Sequence, residues 1–481
     1  MTTQPTISNI STRRGRLPYV DKDYDSIREE LIARIPQLTE RWTDFNSSDL
    51  GVVLLELFAG IADMLAYYVD AQAAECYLPT ARQRHNIANL CALVGYRLHG
   101  PIAASSRVVF TMGEPMGEDI LIPSGTVISA ADEIQPIYFT TVRDPSISSG
   151  NTIGEVDAIQ GVPVTETFVG TGTPCEKVKL NRTDIAHGSI TVKVTSIDWT
   201  SIETFVESGS ESMHYRVDID GLDNVSIIFG DGKYGAYPGE GQQIEVTYLA
   251  TLGSNGNLAP HRINTLLSTI YASNGESVRL SVDNIIAATG GADRESQEHA
   301  KAVAPTTVRS TWKAVTRDDY AALCLAFPGV AKAKIMDIND DPSLRIYTVR
   351  ICIAPEGGGL PSPLLKSELT DYLEARRLLT IDAGIVDPVY VPVNVNAELF
   401  VYPGEVAETV RNRAQDALAK YFAFENQDFG KELYLSDLIV LLDGIQGVSH
   451  VVLREPITDV LPGSREIPVL GDALLTISEV R

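Results

Sequence analysis

The chain has 481 residues, a length that predicts about three domains, and its hydrophobic fraction of 44% is ordinary for packed cores. Its 63 Asp and Glu exceed its 39 Lys and Arg, which gives a formal charge of −24 at pH 7. Because this charge repels phosphate groups, it argues against nucleic acid or an anionic membrane as partner and favours other proteins. The five cysteines lie far apart without a C-x-x-C pair, so the sequence predicts neither a disulfide scaffold nor a zinc site, as expected for synthesis in a reducing cytoplasm.

Residues 18 to about 100 carry helical signals and predict a helical N-terminal domain. The first ten residues lack the basic and apolar regions of a secretory signal. A first helix is predicted over Asp21–Ile35, and a second begins at a serine cap, Ser47 or Ser48. A third helix should begin with Thr80 as its cap and end near Gly95.

The second helix contains the longest apolar run of the chain, Leu50–Val69, which Glu56 and Asp63 interrupt. Charges in the middle of a membrane span are costly, so the run favours a buried helix of a soluble protein.

Four acidic residues recur every seven positions along this helix: Asp49, Glu56, Asp63 and Asp70. Since a straight helix drifts only about 20° per heptad, the four carboxylates should form one stripe. The simple interpretation is a solvated face. The alternative hypothesis is an interface stripe that docks a basic partner.

From Ser105 to about Ala288 the pattern changes to short alternating or β-branched runs, which predict a β-rich central domain. Examples are Arg107–Thr111, Ser189–Val194 and Val225–Phe229. Residues 144 to 175 are dense in Gly, Thr, Ser and Pro, so we expect a surface hairpin or insertion with a mobile tip there.

A glycine-rich motif follows the last of these runs. Three of its glycines match the G-x-G-x-x-G spacing of dinucleotide-binding loops, but such a loop must open a helix. Here the next segment alternates with period two, so the motif predicts a strand, a glycine turn and a second strand, with a structural role. Its residues are Phe229, Gly230, Asp231, Gly232, Gly235, Pro238 and Gly241, followed after the second strand by Gly253, Gly256 and Asn257.

After Gly290-Gly291 the chain alternates helices with strands, which predicts α+β organisation. The predicted elements are Thr316–Phe327, Val330–Met336, Arg345–Ile353, Ser362–Arg377 and Val389–Val401. A weak repeat is present, because Thr316–Phe327 followed by Pro328-Gly-Val330 resembles Ser436–Ile445 followed by Gln446-Gly-Val448. Two similar α+β modules would explain it.

The sequence contains few patterns that are typical of a catalytic, metal or cofactor site. The seven histidines are scattered without an H-E-x-x-H arrangement, and lone histidines are usually structural. There is no nucleophile elbow and no phosphate loop, so we expect no catalytic residue, no metal and no cofactor. Asp218–Asn224 and Asp337–Asp341 resemble calcium loops in composition but miss the required spacing, and hairpin turns are the simpler interpretation.

Several segments occur together in a specific order. Besides the glycine motif they are Trp42–Asp49, Leu54–Phe58, Leu78–Ala81, Val94–Tyr96, Ile122–Thr126, Gly290–Glu295 and Ala314–Tyr320 with Pro328–Val330. In this order they resemble the baseplate J-like proteins, which are wedge subunits of contractile phage tails and related injection machines. Residues 144 to 175 match no segment of the family pattern.

The resemblance implies a multidomain α+β structural protein that is not an enzyme. With the composition shifts, the predicted parts are a helical N-terminal domain (1–103), a β-rich central domain (104–290) and two α+β modules (291–390 and 391–481). Such a wedge subunit would join a ring around the tail hub and help to trigger sheath contraction. Its implied partners are itself, in two copies per wedge, other wedge proteins, and tail hub and sheath-initiating proteins. Its implied location is the virion tail baseplate, after assembly in the host cytoplasm.

Two alternatives stay open. One is a β-rich polysaccharide-binding or carbohydrate-active surface protein, which the central domain and the acidic charge would suit. The other is the same wedge role in a tailocin or phage-derived injection particle. A further hypothesis, from composition alone, is that the glycine junctions Gly253–Gly256 and Gly290–Gly291 act as hinges.

Overall fold

The computed structural model describes residues 20, 22–39, 41–46, 49–130, 136–272, 275–307 and 313–479. The chain divides into two compact units. The first comprises Met1–Arg97 with Asp220–Leu222, and the second comprises Leu98–Ile219 with Asp223–Arg481. Residues 1–10, which bear on the secretory signal, and the predicted caps Ser47 and Ser48 lie outside the described residues.

The described helices, α1 to α8 in chain order, are Tyr24–Leu38, Leu50–Glu75, Arg84–Leu93, Gln297–Thr307, Arg317–Leu325, Pro363–Glu374, Ala407–Tyr421 and Leu435–Asp443. The described strands β1 to β12 are Ser105–Met112, Ile120–Leu121, Val127–Ala130, Ile137–Thr141, Ser146–Ile147, Ile153–Gln160, Val162–Val169, Lys177–Lys179, Thr191–Val194, Ile197–Ser201, His214–Ile219 and Val225–Phe229. Strands β13 to β23 are Gln243–Ala250, Thr265–Leu266, Ile270–Tyr271, Ser277–Val278, Leu280–Asp283, Val330–Met336, Thr348–Pro355, Asp382–Val386, Val389–Val401, Val448–Glu455 and Glu466–Glu479. The multidomain α+β class, with helices first, strands in the middle and α+β elements last, is therefore confirmed.

The helices of the first unit differ from the prediction at their ends. Asp49 is the N-cap of α2, where its carboxylate accepts hydrogen bonds from the backbone N–H groups of Gly51 and Val52. Helix α3 begins four residues after Thr80, and the Thr80 hydroxyl instead donates to the carbonyl of Ala74 at the end of α2, at 2.7 Å. The predicted Thr80 cap is therefore wrong, because the hydroxyl closes the preceding helix rather than opening the next one.

The central region contains two sheets with separate cores. A six-stranded antiparallel sheet has the order β14-β3-β4-β6-β1-β17, and a seven-stranded sheet has the order β7-β13-β9-β10-β11-β12-β8. The core of the six-stranded sheet contains Phe110 and Phe139. The core of the seven-stranded sheet contains Ile227 and Ile244. All strands of the second sheet come from residues 162–250, between β6 and β14 of the first sheet. The second sheet is thus an insertion in the first.

The prediction of an exposed insertion at residues 144 to 175 is wrong. Strand β6 lies inside the six-stranded sheet between β1 and β4, and its Val156 and Ala158 belong to the core. Packing requires a glycine at position 154, since a Cβ there would lie 2.7 Å from the Ile147 side chain. The Gly- and Thr-rich composition concealed a period-two alternation of buried and exposed residues, which marks a strand.

The glycine motif connects β12 to β13, and residues 230–242 between them form turns without a helix. The Asp231 carboxylate accepts hydrogen bonds from the backbone N–H groups of Lys233 and Tyr234 at 2.8 and 2.6 Å. Gly235 has a φ of +88°, a backbone conformation that residues with a Cβ rarely adopt. Gly230 approaches its neighbour closely, because a Cβ there would lie 2.1 Å from the Gly235 carbonyl oxygen.

The C-terminal third contains two α+β modules with similar three-stranded sheets. In the first, β19 pairs antiparallel with β18 and parallel with β20. In the second, β21 pairs antiparallel with β22 and parallel with β23. The predicted repeat falls on equivalent positions, where α5 precedes edge strand β18 and α8 precedes edge strand β22. Gly329 and Gly447, with φ of +90° and +98°, make the two corresponding turns.

We expect Gly230→Ala to destabilise the protein by about 2 kcal/mol or more, because the added Cβ would displace the backbone of Gly235. The matched control is Gly117→Ala, where a Cβ meets nothing within 4 Å, and its effect should stay within about 0.5 kcal/mol. Urea unfolding followed by circular dichroism would measure both. Equal unfolding midpoints for the two variants would contradict the role assigned to the close approach.

Candidate functional site

A loop of three glycines lies between β19 and α6. Gly357, Gly358 and Gly359 have φ of +77°, +78° and +82°. Three successive residues in the left-handed region turn the chain sharply, and only glycine does this at low cost. The loop begins after Pro355, the last residue of β19, and ends at Ser362, the N-cap of α6.

This loop contacts the central region of the second unit. The Ser105 hydroxyl of β1 donates to the Ser362 hydroxyl at 2.7 Å, and both residues are buried. The Thr289 hydroxyl donates to the Leu360 carbonyl at 2.9 Å. The six-stranded sheet and the first α+β module therefore meet at this loop, and we call the meeting point the junction.

The two glycine segments predicted to be hinges hold each other at the junction. The Asn257 side chain donates to the Gly291 carbonyl at 2.7 Å and accepts from the Gly291 N–H at 2.9 Å. A Cβ on Gly291 would lie 2.6 Å from the Gly253 carbonyl oxygen, and one on Gly256 would lie 3.0 Å from the Ala104 side chain. The hinge hypothesis is not supported, because the glycines permit close packing here rather than free rotation.

His99 lies buried beside the junction, a few residues before β1. Its Nδ1 donates to the Gly100 carbonyl at 3.0 Å, and its Nε2 lies 3.1 Å from a carboxylate oxygen of Glu356. Burial alone would lower the pKa of His99, but the hydrogen bond and charge of Glu356, with the charge of Glu295, outweigh it and leave the pKa raised.

Glu295 connects His99 to His299 on α4. The Glu295 carboxylate is buried, accepts the backbone N–H of His99 at 3.2 Å and lies 2.8 Å from Nδ1 of His299. Because a carboxylate accepts, His299 Nδ1 carries the proton in this contact. His299 Nε2 is buried and has no hydrogen-bond partner among the described residues. An unpaired buried acceptor of this kind costs about 1–3 kcal/mol.

A third histidine lies beside this group. The ring of His187 makes an edge contact with the ring of His99, at 5.9 Å between centroids. The sequence analysis treated the histidines as scattered, but the fold brings three of the seven together. Of the residues in this group, only Glu295 lies in a segment that the sequence analysis identified, Gly290–Glu295.

Three residues of the predicted acidic stripe have partners inside the helical region. Asp49 caps α2, Glu56 pairs with Arg28 of α1 at 2.9 Å, and Asp70 accepts the backbone N–H of Val20 at 2.8 Å. Asp63 is half-buried like the other three. Along α2 the acidic residues lie beside the buried side of the helix, and the interface stripe remains a hypothesis.

The other side of α2 is apolar and exposed, so the prediction of a buried helix is wrong. Side chains spaced three and four residues apart form this apolar face: Leu50, Leu54, Leu57, Phe58, Ile61, Met64, Leu65 and Tyr68. Leu57, Phe58 and Leu65 are each about 60% exposed. Among the described residues, α2 is a helix long and apolar enough to cross a membrane by length and composition.

The remaining candidate groups have structural surroundings. The five cysteines are free, and burial raises the pKa of the Cys324 and Cys352 thiols to about 12, far from a reactive thiolate. The calcium-like segments lie in the β11–β12 and β18–β19 hairpins, as their interpretation as turns predicted. In the second of these, Arg317 pairs with Asp337 and Asp340.

Two solved structures are similar to the chain. The anti-feeding prophage (AFP) baseplate contains a chain with 14% identity and a TM-score of 0.32, over 92% of this chain and 90% of that chain. The TssK-TssF-TssG baseplate subcomplex of a type VI secretion system contains one with 8% identity and a TM-score of 0.31, over 70% of this chain and 96% of that chain. No curated protein sequence gives a significant match.

Two family models match the ends of the described chain. Residues 23–93 match the N-terminal domain of bacteriophage baseplate proteins, which covers α1 to α3. Residues 393–476 match the C-terminal domain of baseplate J-like proteins, which covers most of the second α+β module. The N-terminal match contains the predicted family segments Trp42–Asp49, Leu54–Phe58 and Leu78–Ala81, whereas no predicted family segment lies within residues 393–476. The chain therefore contains segments similar to the N-terminal domain of bacteriophage baseplate proteins and to the C-terminal domain of baseplate J-like proteins, and these matches support a structural role in a baseplate.

Proposed function

We propose that this baseplate protein is a non-enzymatic wedge subunit that pairs with a second copy of itself, joins the ring around the tail hub and helps to trigger sheath contraction. The observation that carries the proposal is the exposed apolar face of α2. Contiguous apolar surface of this kind usually marks an interface in a soluble protein.

A second copy is the proposed occupant because the apolar face carries no charge. With a formal charge of −24, two copies repel each other in general. Glu56 and Asp70 are engaged with Arg28 and with the Val20 backbone, and the acidic row lies away from the centre of the apolar face. Two α2 helices can therefore approach without placing carboxylates against each other.

The size of this face supports a second contact between the copies. A 26-residue helix is about 39 Å long, and a strip about 10 Å wide would bury about 800 Å² in total between two copies. Stable interfaces usually bury about 1,600 Å². The proposed wedge therefore pairs through α2 and also through the C-terminal modules, as expected for the family.

The packing at the junction affects where movement would occur. A ring that triggers contraction needs two arrangements of similar energy. The contact of Asn257 with Gly291 and the packing of Gly253 and Gly256 hold the second unit together at the junction. We therefore assign the rearrangement to contacts between subunits and not to the two glycine segments.

We expect the triple variant Leu57→Gln, Ile61→Gln and Met64→Gln to weaken self-association by at least about 100-fold, or about 2.7 kcal/mol. This is a lower bound, because full burial of each side chain would contribute about 1.5–3 kcal/mol. Analytical ultracentrifugation of the full chain would measure the dissociation constant.

The matched control replaces three exposed apolar residues of the central region, Leu121→Gln, Val206→Gln and Leu267→Gln, which should leave self-association unchanged. An equal loss of association in both triples would remove α2 from the interface. If the wild type were monomeric and instead floated with phosphatidylcholine vesicles, the apolar face would be a membrane contact and the pairing proposal would fail.

A second prediction concerns the assembled particle. In a density-gradient fractionation of a native lysate from producing cells, this chain should migrate with contractile tails at about two copies per wedge. Quantitative mass spectrometry of the tail fraction would give the ratio. Migration as a small free species would contradict the wedge role, and cleavage of a bacterial polysaccharide by that species would favour the carbohydrate-active alternative.

A further inference from the structure

Two histidines and one glutamate beside the junction lie close enough together to share a ligand. A ring nitrogen of His99, a ring nitrogen of His299 and a carboxylate oxygen of Glu356 all lie within 4.8 Å of one another. Ligands of a zinc ion at about 2.0–2.2 Å from the metal lie about 3.3 Å apart in a tetrahedral site. The 3.1 Å separation of His99 Nε2 from Glu356 already matches that spacing.

Both histidines have the outer hydrogen bonds of metal ligands. His99 Nδ1–H donates to the Gly100 carbonyl, and His299 Nδ1–H donates to the buried Glu295 carboxylate. Metal-bound histidines nearly always donate the other ring N–H to a carbonyl or a carboxylate in this way. These contacts fix the tautomers, so that in each neutral ring Nε2 carries the lone pair.

One cation could satisfy the two Nε2 atoms and the Glu356 carboxylate together. His99 Nε2 faces a carboxylate oxygen of Glu356 at 3.1 Å, and two acceptors do not face each other without a positive charge between them. A proton on His99 would satisfy that pair but would leave the buried Nε2 of His299 without a partner. A metal ion satisfies all three ligand atoms together.

We propose that His99, His299 and Glu356 bind one divalent transition-metal ion, with Glu295 as the residue that positions His299. Two imidazoles and a carboxylate suit Zn²⁺ and neighbouring first-row metals better than Mg²⁺ or Ca²⁺, which prefer oxygen ligands. The ion would connect the segment before β1, helix α4 and the loop after β19, three parts of the second unit that are far apart in sequence. Its role is to hold the junction, and the proposal is independent of the wedge role.

The test is a metal titration of the full chain after treatment with a chelator. We expect wild type to bind about one equivalent of Co²⁺, with visible absorption typical of bound Co²⁺, and Zn²⁺ to displace it. Zn²⁺ should also raise the thermal unfolding midpoint, because a ligand that binds only the folded state stabilises it. His299→Gln and Glu356→Gln should each weaken Co²⁺ binding at least tenfold.

The matched control is His261→Gln. His261 also contacts a carboxylate, with Nδ1 at 2.7 Å from Asp283, but it is exposed and lies outside the cluster, so this variant should bind Co²⁺ like the wild type. Should the two cluster variants fail to fold, anomalous X-ray diffraction of wild-type crystals at the zinc edge must still place a peak between His99 and His299. The proposal is overturned if wild type binds no Co²⁺ or Zn²⁺, as an ion pair of protonated His99 with Glu356 would predict, or if the cluster variants bind as tightly as His261→Gln.

Discussion

The second unit depends on backbone segments that meet at the junction without side chains between them. A Cβ on Gly291 would lie 2.6 Å from the Gly253 carbonyl oxygen, and Asn257 exchanges two hydrogen bonds with Gly291. Only glycine allows such an approach, so the position of the six-stranded sheet relative to the first α+β module is fixed by absent side chains. Glu356 stands directly before the three-glycine loop, and the same packing therefore sets the geometry of the histidine–glutamate cluster.

The polar cluster adds a second kind of constraint at the same place. Buried carboxylates and imidazoles are costly unless their hydrogen bonds are satisfied. Glu295 meets this requirement for two segments at once, since it accepts the His99 backbone N–H and the His299 ring N–H. The exception is Nε2 of His299, which has no hydrogen-bond partner in the described part of the chain and which the proposed metal ion would bind. Polar and backbone contacts thus act together where the central sheet and the first α+β module join.

Helix α2 of the first unit partly buries acidic side chains and exposes apolar ones. A surface helix of a monomeric protein usually does the reverse. Glu56 lies on its partly buried side and pairs with Arg28, while Leu57 and Ile61 are exposed. For an isolated chain this exposure favours aggregation. In the proposed pairing, this face would pack against a second copy of the chain.

The sequence by itself determined the features that local patterns encode. The strands at Val225–Phe229, Val330–Met336 and Val389–Val401 match their predicted bounds, and α5 and α6 begin directly after Thr316 and Ser362, where the predicted elements begin. The order of the motifs also indicated a baseplate protein, and models of baseplate-protein domains match residues 23–93 and 393–476. Local patterns do this well because alternation and capping depend on neighbouring residues. Only the tertiary structure decided the contacts between distant residues. It placed residues 162–250 as an inserted sheet, left one side of α2 exposed among the described residues, and brought His99 next to His299 across about 200 positions. Periodicity gives the faces of an element but not what packs against them.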